Sequence, residues 1–125
     1  MATTLLEATT GIFSFPLLDQ DQVGVPLIVL DTLTLTYYDV DSGVIVNSRL
    51  HQDALNANNV TVVTVPGPPL VTTVTFAIQP EDTVILNDLR ALEQRVMQFH
   101  WTWDGGTKAN AYQAQFGVEN LRFVP

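Results

Sequence analysis

Residues 99–116 read FHWTWDGGTKANAYQAQF: two alternating runs joined by Asp-Gly-Gly-Thr. In the first run Met97, Phe99, Trp101 and Trp103 fall on one side of an extended chain and Gln98, His100 and Thr102 on the other. After the turn Tyr112, Ala114, Phe116 and Val118 alternate against Gln113, Gln115 and Gly117. A period of two with one apolar side is the pattern of a half-buried strand. Gly105 and Gly106 suit a tight connection that requires positive φ. The stretch therefore predicts a hairpin whose apolar face lies at the centre of a β-sandwich.

The same period extends outward from this hairpin. Leu33, Leu35 and Tyr37 alternate with Thr32, Thr34 and Thr36, and Val74, Phe76 and Ile78 alternate with Thr73, Thr75 and Ala77. Valine and threonine dominate these runs, and β-branched residues fit a pleated surface better than a helix. Further strands are predicted over 12–18, 25–30 and 60–65, with DVDSG (39–43) turning the chain and VIVN (44–47) starting its return. Pro16 confines its strand to a sheet edge, because proline cannot donate to the ladder. VPGPPL (65–70) must be a loop. Between residues 80 and 95 the period changes, and Asp88 ahead of LRALEQRV predicts a short helical turn. Residues 49–57 predict a second. The expected fold is all-β, an antiparallel β-sandwich of about seven to nine strands. Residues 21–125 form its single domain, and 1–20 are an N-terminal arm or edge strand.

Composition narrows the function. A chain of 125 residues with 46% hydrophobic and 14% charged residues has enough apolar material for one core and for contact with partners. The net charge is −8, with ten acids against Arg49 alone in residues 1–88. Nucleic acid is an unsuitable partner, since phosphate binding needs clustered Lys and Arg. No apolar run approaches the length that spans a bilayer, so no membrane association is expected. Without cysteine there is neither a disulfide framework nor a thiolate metal site. The N-terminal residues lack the pattern of a secretory signal, which predicts a soluble protein made in a cytoplasm.

Candidate sites are sparse. The aromatic stripe reads as core packing, with Trp103, nearest the turn, expected to be half exposed and available to a partner. His51 and His100 have no nucleophile in a local signature beside them, and two histidines without cysteine make no zinc site. Asp19 and Asp21, and Asp39 and Asp41, carry i, i+2 oxygens but lack a calcium loop's closing glutamate, so turn chemistry accounts for them. The carboxylate pairs Glu81/Asp82 and Asp88/Glu93 read as surface acids rather than a hydrolytic pair. Asn59-Val-Thr61 matches a glycosylation acceptor by chance. No catalytic residue, metal or cofactor is expected.

The run from Val74, VTFAIQPEDTVILNDLRALEQRVMQFHWTWDGGTKANAYQAQFGVENLRFVP, resembles small tailed-phage proteins. Their C-terminal halves read as a strand, a QPxD turn, a strand FxWTW, a Gly-rich turn, a strand ending F.V.NL and a closing VP. LTLTYYDVDSGVIVN is similar to the pattern that opens the same domains, and the likeness covers about three quarters of the chain. It implies an Ig-like β-sandwich with a structural, non-enzymatic role in a virion, as capsid decoration or as part of the neck, tail or baseplate. Other virion proteins would then be the partners, in a multi-copy or homo-oligomeric assembly made in the bacterial host cytoplasm. Residues 1–30 have no counterpart in the pattern. Their apolar segment suits attachment along a neighbour's edge, with Leu5, Leu6, Ile12, Phe13 and Phe15 as contact residues beside Trp103. The alternatives are a host-surface or carbohydrate-binding β-sandwich module and a small hydrolase.

Overall fold

The computed structural model describes residues 3–19 and 21–123. Among them are eight strands: β1 (Thr3–Leu6), β2 (Gly11–Pro16), β3 (Leu30–Asp39), β4 (Gln52–Asp53), β5 (Val60–Val65), β6 (Val71–Ile78), β7 (Leu92–Trp103) and β8 (Lys108–Glu119). Three 3-10 turns accompany them: η1 (Leu27–Val29), η2 (Pro80–Asp82) and η3 (Leu121–Phe123).

The strands form two sheets, ordered β1-β8-β7-β3-β4 and β2-β6-β5. The first strand lies along the last, the chain crosses to the small sheet as β2, and β3 returns to the large sheet beside β7. A β5–β6 hairpin completes the small sheet and the β7–β8 hairpin the large one. This is an Ig-like sandwich. One pair departs from the expected antiparallel arrangement: β1 runs parallel to β8, with Thr3 opposite Phe116 and Leu6 opposite Glu119. Pro16 sits where its missing donor requires, on the edge strand β2.

The β7–β8 hairpin has an unbroken register from Leu92↔Glu119 to Trp103↔Lys108. Its turn places Asp104, Gly105 and Gly106 at φ of 54°, 69° and 81°, and two successive glycines in that left-handed run avoid the Cβ penalty. Met97, Phe99, Trp101 and Trp103 are all buried, as are Leu33, Leu35 and Tyr37 on β3. Opposite them the small sheet contributes Phe15, Val60, Val62, Val74, Phe76 and Ile78. Phe99 joins the layers, 4.8 Å from Phe15 and 6.2 Å edge-on from Phe76 between ring centroids. Each such ring stabilises by about 1.5–3 kcal/mol through burial.

The helical expectations hold only in part. Residues 80–95 do contain a short helical turn, the 3-10 turn η2, but it precedes Asp88, which caps no helix, and LRALEQRV runs into β7 instead. Helix propensity yields there because Glu93 and Arg95 alternate inward as strand residues and find ionic partners in the core. Residues 49–57 hold the two-residue β4 flanked by left-handed His51 and Asn56, since Arg49 is drawn into the interior. Residues 25–30 form η1 rather than a full strand, and of VIVN only Ile45 bridges back, to Tyr38.

Candidate functional site

The N-terminal segment is bound to its own sandwich. The turn from β1 to β2 is clasped by Thr83: Ala8 N–H donates to Thr83 O (3.1 Å), Thr9 N–H to Thr83 Oγ1 (2.9 Å), and that hydroxyl bonds Thr9 O (2.9 Å). Thr83 is itself buried, so the clasp is part of the folded body. Met1, Ala2 and Gln20, within the expected arm, lie outside the described residues.

Of the contact residues expected from sequence, Leu5, Ile12 and Phe13 converge. With Ile78, Met97, Tyr112, Ala114, Gln115 and Phe116 they line an uncharged crevice of about 310 Å³ between the edges of β2 and β8, whose side chains are mostly apolar. Leu6 is partly exposed, 38%, beside the crevice rather than in it. Phe15 and Trp103 are corrections, at 3% and 4% exposure. Phe15 points between the sheets and stacks on Tyr112 at 4.6 Å. Trp103 is covered because β3 begins beside it, with Leu30 as its register partner and Asp104 N–H donating to Val29 O (3.3 Å). Neither offers a surface to a partner.

Sequence reading missed the charged interior. Arg49 and Asp82, 2% and 0% exposed, form a bidentate pair in which Nε and Nη2 donate to Oδ1 and Oδ2 at 2.6 and 3.1 Å. Asp82 also accepts from Asn47 Nδ2 (3.0 Å) and Gln79 N–H (2.8 Å), and the guanidinium lies 4.9 Å from the Phe76 ring centre. Glu93 accepts the Leu86 and Asn87 N–H groups at 2.9 and 2.8 Å and Arg95 Nη2 at 2.5 Å. Arg95 further donates to Asp82 O (3.1 Å) and Val84 O (2.6 Å). Its Nε faces Asp39 Oδ1 at 3.4 Å, an ion pair outside hydrogen-bonding geometry. These groups close one end of the sandwich over the segment 79–90. Burial pushes the Tyr37 phenol, which donates to Asp82 O, well above its ordinary range. At Asp39 burial works in the same upward direction but is outweighed by two hydrogen bonds from Ser42 and the Arg95 and Arg90 charges, which hold the carboxyl below the usual value. The only signal in the sequence was the inward parity of Glu93 and Arg95 counted back from Met97.

No protein-family model, curated protein or solved structure matches the chain. What the site can do rests on its geometry and on the resemblance in sequence. Among the described residues no three His, Cys, Asp or Glu side chains gather as a metal site. Asp19 Oδ1 accepts the Asp21 and Val23 N–H groups, and Asp39 Oδ2 accepts the Ser42 N–H and hydroxyl, so one oxygen of each carboxylate is spent within its own turn. His51 and His100 are brought to one shallow outer groove of about 560 Å³ with Thr34, Thr36, Gln98 and Gln113. His51 N–H donates to Thr36 Oγ1 (3.0 Å) there.

The exposed faces of the two sheets are nearly free of charge. On the small sheet the outward residues are Ile12, Ser14, Pro16, Thr61, Val63, Val65, Val71, Thr73, Thr75 and Ala77, as the register dictates. On the large sheet the charged residues left open to solvent among those described are Asp31 at the start of β3, Asp53, Lys108 at the hairpin turn and Glu119, all at its margins. The remaining charges of an acidic chain sit in loops, at strand ends or in the buried network.

Proposed function

We propose that this protein is a non-enzymatic structural component of a tailed-phage virion that assembles through its sheet edges and uncharged faces. The observation that carries the reading is the placement of charge: thirteen acids, and almost none on either sheet's outer face. Faces of this kind are covered in an assembly at little desolvation cost, because no charge has to be stripped of water. Weak contacts of this sort, repeated over many copies, give secure attachment. The virion setting itself is supported by the resemblance of residues 74–125.

The carbohydrate-binding alternative requires rings presented to solvent; Trp101 and Trp103 are both buried, and the exposed ring Tyr112 has one face stacked on Phe15. A hydrolase requires a reactive group in a cleft, and the buried acids Asp82 and Glu93 are spent on arginines and backbone amides. Quantitative mass spectrometry of purified particles tests the proposal: the chain should be present in a fixed ratio to the major capsid or tail protein. Absence from particles, with the protein free in the lysate, would refute it. Deleting residues 2–18 is a poor test, because it removes β1, β2 and the core residues Phe15 and Leu17 together.

A further inference from the structure

The four sheet margins are not equally protected. β4 is two residues long, and β2 carries Pro16. On β5 the Val62 N–H is taken by Asn56 Oδ1 (2.7 Å), and η1 packs alongside, with Leu27 N–H on Thr64 Oγ1 (2.9 Å). β8 differs, because β1 pairs only with Phe116–Glu119 and leaves residues 108–115 without a strand partner on that side among the described residues, although the Asn110 side chain donates to Leu18 O (3.2 Å). Those residues contain no proline, and their single charge is Lys108 at the turn. Natural edges are normally blunted by short length, lysine, proline or a bulge.

The direction of the free groups follows from the register. Glu119 O accepts the Glu7 N–H from the β1 side (2.9 Å), so odd-numbered residues of this unbroken strand aim their backbone away from β7. Ala109, Ala111, Gln113 and Gln115 therefore face the open lane, where only the Ala111 N–H is covered, by Asn110 Oδ1 (2.9 Å). The even residues Tyr112 and Ala114 line the uncharged crevice beneath the same lane, and Leu5 of β1 lines it too.

We propose that residues 109–115 of β8 accept an extended segment of a neighbouring protein as an added strand, with alternate apolar side chains of that segment entering the crevice between Ile12, Phe13, Tyr112 and Ala114. Unpaired backbone groups select an extended chain, and an uncharged lining selects apolar residues at every second position. β1 already docks in this way further along the lane, with Leu5 turned into the crevice. The inference deepens the assembly reading and rests on it for the source of the strand, a neighbouring virion subunit. The geometry of the lane stands separately.

The test uses the full chain and a pool of capped octapeptides with Val, Leu or Ile at alternate positions and Ser, Thr or Lys between them, read by amide hydrogen exchange. Binding should slow exchange at Gln113 and Gln115 by about tenfold or more while leaving the amides of β5 unchanged. Gln113→Pro removes one outward donor while leaving the backbone ladder to β7 intact; it also loses the exposed hydrogen bond from Gln98 Nε2 (2.9 Å), so it should weaken the best peptide about tenfold with the protein still folded. Ile12→Glu, at a 79% exposed position on the crevice rim, should weaken it comparably. The proposal is overturned if no peptide in the pool slows those amides at millimolar concentration, or if Gln113→Pro binds as well as the parent. It is also overturned if both amides are already protected by self-association, which would make a second copy the occupant. Particle content decides the virion reading independently: peptides that bind to a protein absent from particles would uphold the lane and remove the virion.

Discussion

Asp82→Ala is the sharpest perturbation of this structure. It removes four contacts at once, two from Arg49 and one each from Asn47 and the Gln79 N–H, and leaves a guanidinium that is 2% exposed without its counter-ion. Gln52 Oε1, Asn58 O and Asn59 Oδ1 still accept from Arg49 at 2.8 to 3.0 Å, but none carries charge. Breaking a buried pair on one side costs about 3–5 kcal/mol, because the remaining ion is desolvated without compensation. With an unfolding entropy of about 2.1 cal/mol/K per residue over this length, a loss near 4 kcal/mol lowers the melting temperature by about 15 °C. Urea titration followed by tryptophan fluorescence reads the free energy, and calorimetry reads the temperature. The double variant Arg49→Met with Asp82→Leu replaces the pair by apolar groups, Met keeping contact with Phe76, and should recover at least half of the loss. The reasoning fails if Asp82→Ala lies within about 1 kcal/mol of the parent, or if the double variant's loss equals the sum of the two single losses to within about 0.5 kcal/mol.

Three further outcomes follow from the geometry. Phe15→Ala should cost about 3–5 kcal/mol in urea, since its ring packs on Phe99 and Tyr112, whereas Ile12→Ala should stay within about 0.5 kcal/mol; equal losses would contradict the assignment of faces on β2. Native tryptophan emission should be blue-shifted and poorly quenched by iodide, and emission like that of free tryptophan would show that Trp103 is not buried. Asp39 has a folded pKa held below its unfolded value, so its contribution to stability is fully present above about pH 4 and is lost as the pH falls through the folded pKa. Asp39→Asn should therefore flatten the acid limb of a stability–pH curve, and an unchanged slope between about pH 5 and 2 would rule this out.

The buried network also explains why an acidic chain keeps Arg49 and Arg95 in its interior. Segment 79–90 has few apolar side chains directed inward, and its backbone must still be satisfied where it closes the sandwich. Arg95 answers the carbonyls of Asp82 and Val84, and Glu93 answers the N–H groups of Leu86 and Asn87. Two adjacent inward positions on β7 thus tie down a loop that hydrophobic packing alone would leave loose.

The period-two alternation of residues 97–103 and 112–118 was sufficient by itself to specify the β7–β8 hairpin, its buried side and its turn, because strand parity is a local property in which each side chain's face follows from its neighbour's. The same holds for Pro16, whose missing donor restricts it to an edge. It does not hold for the crevice, which joins Leu5 and Ile12 to Tyr112 and Ala114 across about 100 positions, nor for Arg49 and Asp82, 33 residues apart. Nor could local reading tell that Trp103 is roofed by β3, or that Glu93 and Arg95 lie in a strand rather than the helix their propensities favour. Those outcomes depend on which strands become neighbours, and that choice is made by the burial of the whole apolar surface at once.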